Sequence, residues 1–166
     1  MRTLFFGTPE FAVPSLDALQ DVSEVVGVVC QPDRPAGRGL TMAPPPVKAR
    51  ALALGIPVVQ PTKLRTGEFA EWVRVQRVDL ALVVAYGRIL PEAVLSATRL
   101  GFVNVHASLL PKYRGAAPIA WAIVNGETET GITLSTLFPL AERPNCDAFT
   151  YFRGAARQYS PLPSAK

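Results

Sequence analysis

Residues 101–118, GFVNVHASLLPKYRGAAP, decide how the rest of the chain is understood. They contain the only histidine of the protein, His106, two positions after Asn104. Phe102, Val103 and Val105 make the run β-rich, and the period-2 alternation of a strand points Asn104 and His106 to the same side. The run breaks at Ser108-Leu109-Leu110-Pro111, and Gly115 precedes a new apolar segment. An isolated histidine at a strand end is commonly a hydrogen-bonded rim residue, and an asparagine there a turn former. An acid/base side chain and an amide donor brought together to the carboxyl end of a buried strand also describe an α/β enzyme site.

On the amino-terminal side, residues 3–6 are a continuous apolar run ending at Gly7, as expected of a strand buried on both faces. Thr8-Pro9 then opens a helix, with Phe11, Val13, Leu16 and Leu19 at helical spacing. Gly7 stands alone, so the three-glycine dinucleotide fingerprint is missing, and no P-loop pattern occurs. Residues 25–30 form a second buried strand. Residues 31–46, QPDRPAGRGLTMAPPP, carry too much proline for regular structure and predict a long loop. Arg34 and Arg38 in that loop expose guanidinium groups suited to bidentate phosphate contact, and Lys48 and Arg50 could add to the attraction. Solvation of a surface loop explains the same residues.

Further on, residues 47–54 predict a helix and residues 57–59 a short strand. Residues 68–75 predict a helix with Phe69, Trp72 and Val73 turned to the core. Residues 80–84 form a third buried strand, turned at its end by Ala85-Tyr86-Gly87; Tyr86 either caps the core or lines a pocket. Pro91 starts a short helical stretch. After the central strand, residues 115–125 predict a helix with Ile119, Ile123 and Val124 as its apolar side and Gly126 at its end. Residues 131–134 begin a last strand. This alternation argues for an α/β fold, an open, mostly parallel Rossmann-like sheet with helices on both faces. From Phe138 onward periodicity disappears, and neither a convincing strand nor a long amphipathic helix is evident.

The bulk properties agree with one globular domain. The chain has 166 residues, half of them hydrophobic, which excludes general disorder. Cys30 and Cys146 are too few for a disulfide framework, and Cys30, closing an apolar run, suits a buried reduced thiol. Without a long apolar span or a charged-then-apolar leader, the expectation is a cytoplasmic protein with no membrane association. The net charge of +4 permits an anionic partner without demanding one.

The longer string NVHASLLPKYRGAAPI resembles the central signature of the folate-dependent formyltransferases, and most closely the branch acting on methionyl-initiator tRNA. FFGTPEFAVPSLDAL, QPDRPAGRG, PVKARALALGIPV, QPTKLR and VVAYGRILP follow the same pattern in the same order, over residues 1–137. The resemblance implies a formyltransferase fold and transfer of a formyl group from 10-formyltetrahydrofolate to the amino group of methionyl-tRNA, without a metal, in a monomer. It implies Asn104 as oxyanion donor and His106 as acid/base. Ser108, Leu109, Leu110 and Pro111 then shape the folate floor, with Tyr86 and Gly87 beside it. The loop of Arg38 and, second, Arg34 corresponds to the one used against the tRNA acceptor end. The family's remaining catalytic aspartate stands in an acidic, glycine-containing turn. Here the register carries Glu142 to that place, among Leu140, Arg143 and Pro144, with Asp147 a weaker stand-in. Beyond residue 137 the pattern is lost, and the β-barrel that grips tRNA in the family has no counterpart. A truncated or frame-disrupted remnant, binding folate or RNA weakly, is therefore the alternative expectation. Phosphoribosylglycinamide and sugar-nucleotide formyltransferases are further rivals. The first is disfavoured by Gly7-Thr8-Pro9 where a phosphate-holding glycine-rich turn is needed, the second by the Arg34–Arg38 loop.

Overall fold

A computed structural model describes residues 1–37, 40–137 and, for the backbone, 150–155. The seven-stranded sheet has the order β5-β2-β1-β6-β7-β8-β9. Its strands are β1 (Arg2–Gly7), β2 (Glu24–Val29), β5 (Val58–Val59), β6 (Leu80–Val84), β7 (Phe102–His106), β8 (Glu129–Leu137) and β9 (Thr150–Ala155). β1 runs parallel to β2 and β6, β2 to β5, and β6 to β7; β8 is antiparallel to β7 and to β9. The chain thus winds outward from β1 through β2 to β5, returns to β6, and winds the other way. The reversal lies between the carboxyl ends of β1 and β6, where open α/β sheets place their ligand crevice.

Alternation along β1 sorts the core into two layers. Leu4 and Phe6 join a cluster with Phe69, Ala70 and Val73 of α3 (Gly67–Val75) and Val94 of α4 (Glu92–Leu95). Phe5 points the other way, to Leu16 and Leu19 of α1 (Val13–Val22) and Val47 and Ala51 of α2 (Pro46–Ala53). Helices therefore cover both faces, and the strands between them are apolar throughout for that reason. The Phe6 ring meets Tyr86 edge-on at 5.5 Å and Phe102 at 5.3 Å, which joins the ends of β1, β6 and β7 in one aromatic contact.

Four expectations change. Residues 31–46 contain a hairpin, β3 (Arg34–Ala36) with β4 (Thr41–Ala43), in which Pro35 faces Met42. A two-stranded hairpin is all edge, so a proline without an N–H can leave its free side to solvent. The helix foreseen over residues 115–125 is α5 (Pro118–Val124), entered through Ala117 at φ 55°. Its buried residue is Ala122, while Ile119, Trp121, Ile123 and Val124 are exposed, so the expected apolar side does not face this core. Lastly, residues 150–155 form β9, paired from Glu129↔Ala155 to Leu134↔Thr150. Its register is that of antiparallel main-chain pairing with β8. No helix among the described residues is long and apolar enough to cross a membrane.

Candidate active site

β7 carries Asn104 and His106 on the α3 side of the sheet, in line with buried Phe102. Val105, between them, packs on the opposite layer. The register sets Asn104 between Val83 of β6 and Ser135 of β8, and His106 opposite Thr133. The strand passes from fully buried at Phe102 to half-buried at Asn104 and His106, so both side chains sit where the core meets solvent. The two residues are brought together as the alternation requires.

Their polar surroundings differ. Among the described residues the Asn104 side-chain amide has no hydrogen-bond partner. His106 Nε2 lies 2.9 Å from the backbone oxygen of Tyr113. A carbonyl oxygen only accepts, so Nε2–H donates, and Nδ1 has no hydrogen-bond partner among the described residues.

The loop after β7 is built on internal bonds. The Ser108 hydroxyl is buried and donates to the Lys112 carbonyl at 2.7 Å. Thr133 Oγ1 donates to the Ser108 carbonyl at 2.7 Å and accepts the Leu110 N–H at 3.1 Å. Thr133, on antiparallel β8, thus pins the SLLP turn, and sequence analysis missed it. The signal was a threonine in the apolar run Gly131-Ile132-Thr133-Leu134, whose hydroxyl needs partners once buried. Leu109 and Leu110 remain half-buried and Pro111 exposed, while the Ser108 hydroxyl is committed to the loop.

The second rim of the crevice is tied by main-chain carbonyls. Tyr86 is buried, its hydroxyl has no hydrogen-bond partner among the described residues, and desolvation pushes its pKa up. Its ring packs in the core against Phe6. Its carbonyl accepts from Thr8 Oγ1 at 3.2 Å and from Gln31 Nε2 at 2.9 Å, joining the ends of β1, β2 and β6. Gly87 has φ 78°, and a Cβ there would stand 2.6 Å from Gln31 Nε2. Only glycine lets Gln31 approach so closely.

Arg34 is exposed on β3 and donates to Gln31 Oε1 at 2.5 Å. Lys48 pairs with Asp33 at 2.8 Å and with Gln60 Oε1 at 2.8 Å, and Arg50 with Asp17 at 2.7 Å. The Lys48 pair is partly buried and the Arg50 pair lies at the surface, so both cations that could have added to phosphate attraction have carboxylate partners within the chain. Arg38, Glu142 and Asp147 lie outside the described residues. An open cavity of about 510 Å³ beside Lys63, Arg65 and Arg88 shares no residue with the Asn104–His106 site. Among the described residues no group of three or more His, Cys, Asp or Glu could hold a metal ion.

The fold is an open, mostly parallel α/β sheet, with an amide and an imidazole on the strand next to the switch point. Residues 1–138 match the formyl transferase family, and the chain belongs to it. Among curated relatives, the methionyl-tRNA formyltransferase of Sorangium cellulosum (strain So ce56) is 69% identical over 134 residues, covering 81% of this chain and 43% of the relative. That of Synechococcus sp. (strain JA-3-3Ab) is 61% identical over 137 residues, covering 80% and 42%. The chain spans about two-fifths of the length of the curated relatives it matches. The solved glycinamide ribonucleotide transformylase 1 of Geobacillus kaustophilus superposes with a TM-score of 0.70 at 23% identity, covering 96% of this chain and 85% of that one. Likeness at that identity concerns the fold.

Proposed function

We propose that the protein transfers a formyl group from 10-formyltetrahydrofolate to the amino group of methionyl-initiator tRNA. The observation that carries this reading is the half-buried Asn104 amide, without a hydrogen-bond partner among the described residues, on the same strand face as His106. A half-buried amide left open beside an imidazole fits a formyl carbonyl, whose oxygen gains charge as an amine attacks its carbon. The folate, when bound, supplies the formyl group and a nitrogen leaving group.

Asn104 Nδ2–H donates to that oxygen, and one such donor is worth about 100- to 1000-fold in rate. His106 takes the proton from the attacking amine at Nδ1 and returns one to the departing nitrogen, help worth about 100- to 10,000-fold. Leu109, Leu110 and Pro111 form the floor for the folate, and the Gly87 backbone its rim. Ser108 and Tyr86 contribute by holding these segments. Glu142 takes the part of the family's aspartate. On the tRNA side, Arg34 on the β3–β4 hairpin and Arg38 in the sequence between its strands meet phosphates of the acceptor end. Work on charged tRNA with a soluble folate is the work of a cytoplasmic monomer.

The test mixes the purified chain with methionyl-tRNA and 10-formyltetrahydrofolate and counts formyl-methionine. His106→Ala is expected to lower turnover about 100- to 10,000-fold. Equal turnover in the two proteins would overturn the reading. A second reading, folate binding without transfer, is favoured by the family match stopping at residue 138, before Glu142. Thermal stabilisation by the folate with no formyl-methionine formed would support it.

A further inference from the structure

One polar cluster near His106 has no part in the chemistry above. Tyr113 Oη donates to Glu127 Oε1 at 2.7 Å, and Lys112 Nζ reaches the same oxygen at 3.0 Å. Asn125 Nδ2 donates to Tyr113 Oη at 3.1 Å. The cluster clips the loop after β7 to the turn between α5 and β8. Tyr113 itself has φ 56°, a left-handed conformation that a bulky residue keeps only where its surroundings impose it. The carbonyl of this same residue accepts the His106 Nε2–H.

The Lys112–Glu127 pair is exposed on the lysine side and contributes little on its own. The half-buried Tyr113 hydroxyl is the more informative partner. It is the largest influence holding the Glu127 carboxyl below the ordinary carboxylate range, ahead of Lys112. A backbone carbonyl facing one ring nitrogen selects the tautomer protonated there, so whatever fixes this carbonyl also fixes which nitrogen of His106 is basic.

We infer that Glu127 and Tyr113 are positioning residues that hold the Tyr113 carbonyl against His106 Nε2–H, leaving Nδ1 as the nitrogen that accepts a proton. The inference rests on the formyl-transfer reading only for what Nδ1 then does; the tautomer is a property of the folded chain.

His106 is the only histidine, so histidine-selective ¹⁵N labelling of the full chain yields one pair of ring nitrogens. With the imidazole neutral, the wild-type protein is expected to show a protonated Nε2 and an unprotonated Nδ1. Glu127→Ala is expected to move both signals toward the average of exchanging tautomers. Glu127→Gln, whose amide oxygen still accepts from Tyr113 Oη, is expected to restore them. Tyr113→Phe removes only the hydroxyl, should reproduce the Glu127→Ala spectrum, and serves if that variant does not fold. A protonated Nδ1 in the wild type, or signals unchanged in the variants, would overturn the inference. In turnover, Glu127→Ala should lower kcat about 10- to 100-fold with KM for both substrates unchanged, as for a misplaced catalytic group. Absence of turnover in the wild type would defeat formyl transfer while leaving the tautomer result intact.

Discussion

At the scale of single residues, the two strand-end side chains differ from the residues that hold them. The Asn104 side chain makes no hydrogen bond among the described residues, so truncating it costs the fold little. Asn104→Ala is expected to keep unfolding free energy within about 0.5 kcal/mol of wild type. Formyl transfer, in contrast, should fall about 100- to 1000-fold. A urea titration beside the formylation assay separates the two, and a variant that loses stability and activity together would speak against a substrate-facing role. Thr133 is the opposite case. Thr133→Val keeps the shape but strands a buried carbonyl at Ser108 and an N–H at Leu110. The cost should be about 1–3 kcal/mol, read from the shift in urea midpoint at constant slope.

At the scale of elements, the carboxyl end of β1 is the tightest joint. A Cβ at Gly7 would lie 2.6 Å from Phe5 Cε1, 3.0 Å from Ala12 Cβ and 3.1 Å from the Val84 carbonyl. Gly7→Ala therefore forces β1 and β6 apart next to the switch point, with an expected loss of about 1–3 kcal/mol in chemical unfolding. The loop after β7 shows a related economy. Among the described residues, Ala85, Tyr113 and Ala117 are three of five non-glycine residues at positive φ, the first just after β6 and the others after β7. Such a conformation costs about 1–3 kcal/mol and persists where neighbouring bonds over-determine it, as the Glu127 bond does at Tyr113. The strands β1, β2 and β6 were legible as apolar runs of strand length, and β7 by the alternation of its apolar residues with Asn104 and His106. The β3–β4 hairpin and β9 were not, since both are held by main-chain pairing at an edge, where side chains need follow no pattern.

At the scale of the whole molecule, titration sets a window of stability. The carboxyls of Asp33, Asp79 and Glu127 lie below their ordinary values of 3.8, 3.8 and 4.5. The main causes are the Lys48 ammonium, the Arg2 N–H and the Tyr113 hydroxyl, in that order. The unfolded chain takes up their protons first, so stability is complete above about pH 5 and drains away as pH falls through the lower folded values. Burial pushes the Cys30 thiol from 9.0 up to about 11. The unfolded chain loses that proton first, so stability declines again as pH rises from 9.0 toward about 11. Urea midpoints should form a plateau between these limits; a midpoint still rising below pH 4 would contradict the assignment. By itself the sequence determined the α/β class, the positions of the buried strands, the placing of Asn104 and His106 on one strand face and the formyltransferase ancestry. Those follow from local apolar runs, the period of two along a strand and an unbroken string of family motifs. Only the tertiary structure decided that Tyr86 belongs to the core, that Lys48 and Arg50 are spent on Asp33 and Asp17, and that the outer face of α5 is exposed. It alone joined Thr133 to the SLLP turn and Tyr113 to His106. Such contacts form between segments far apart in the chain or across an irregular loop, where spacing carries no record of which polar group will find which partner.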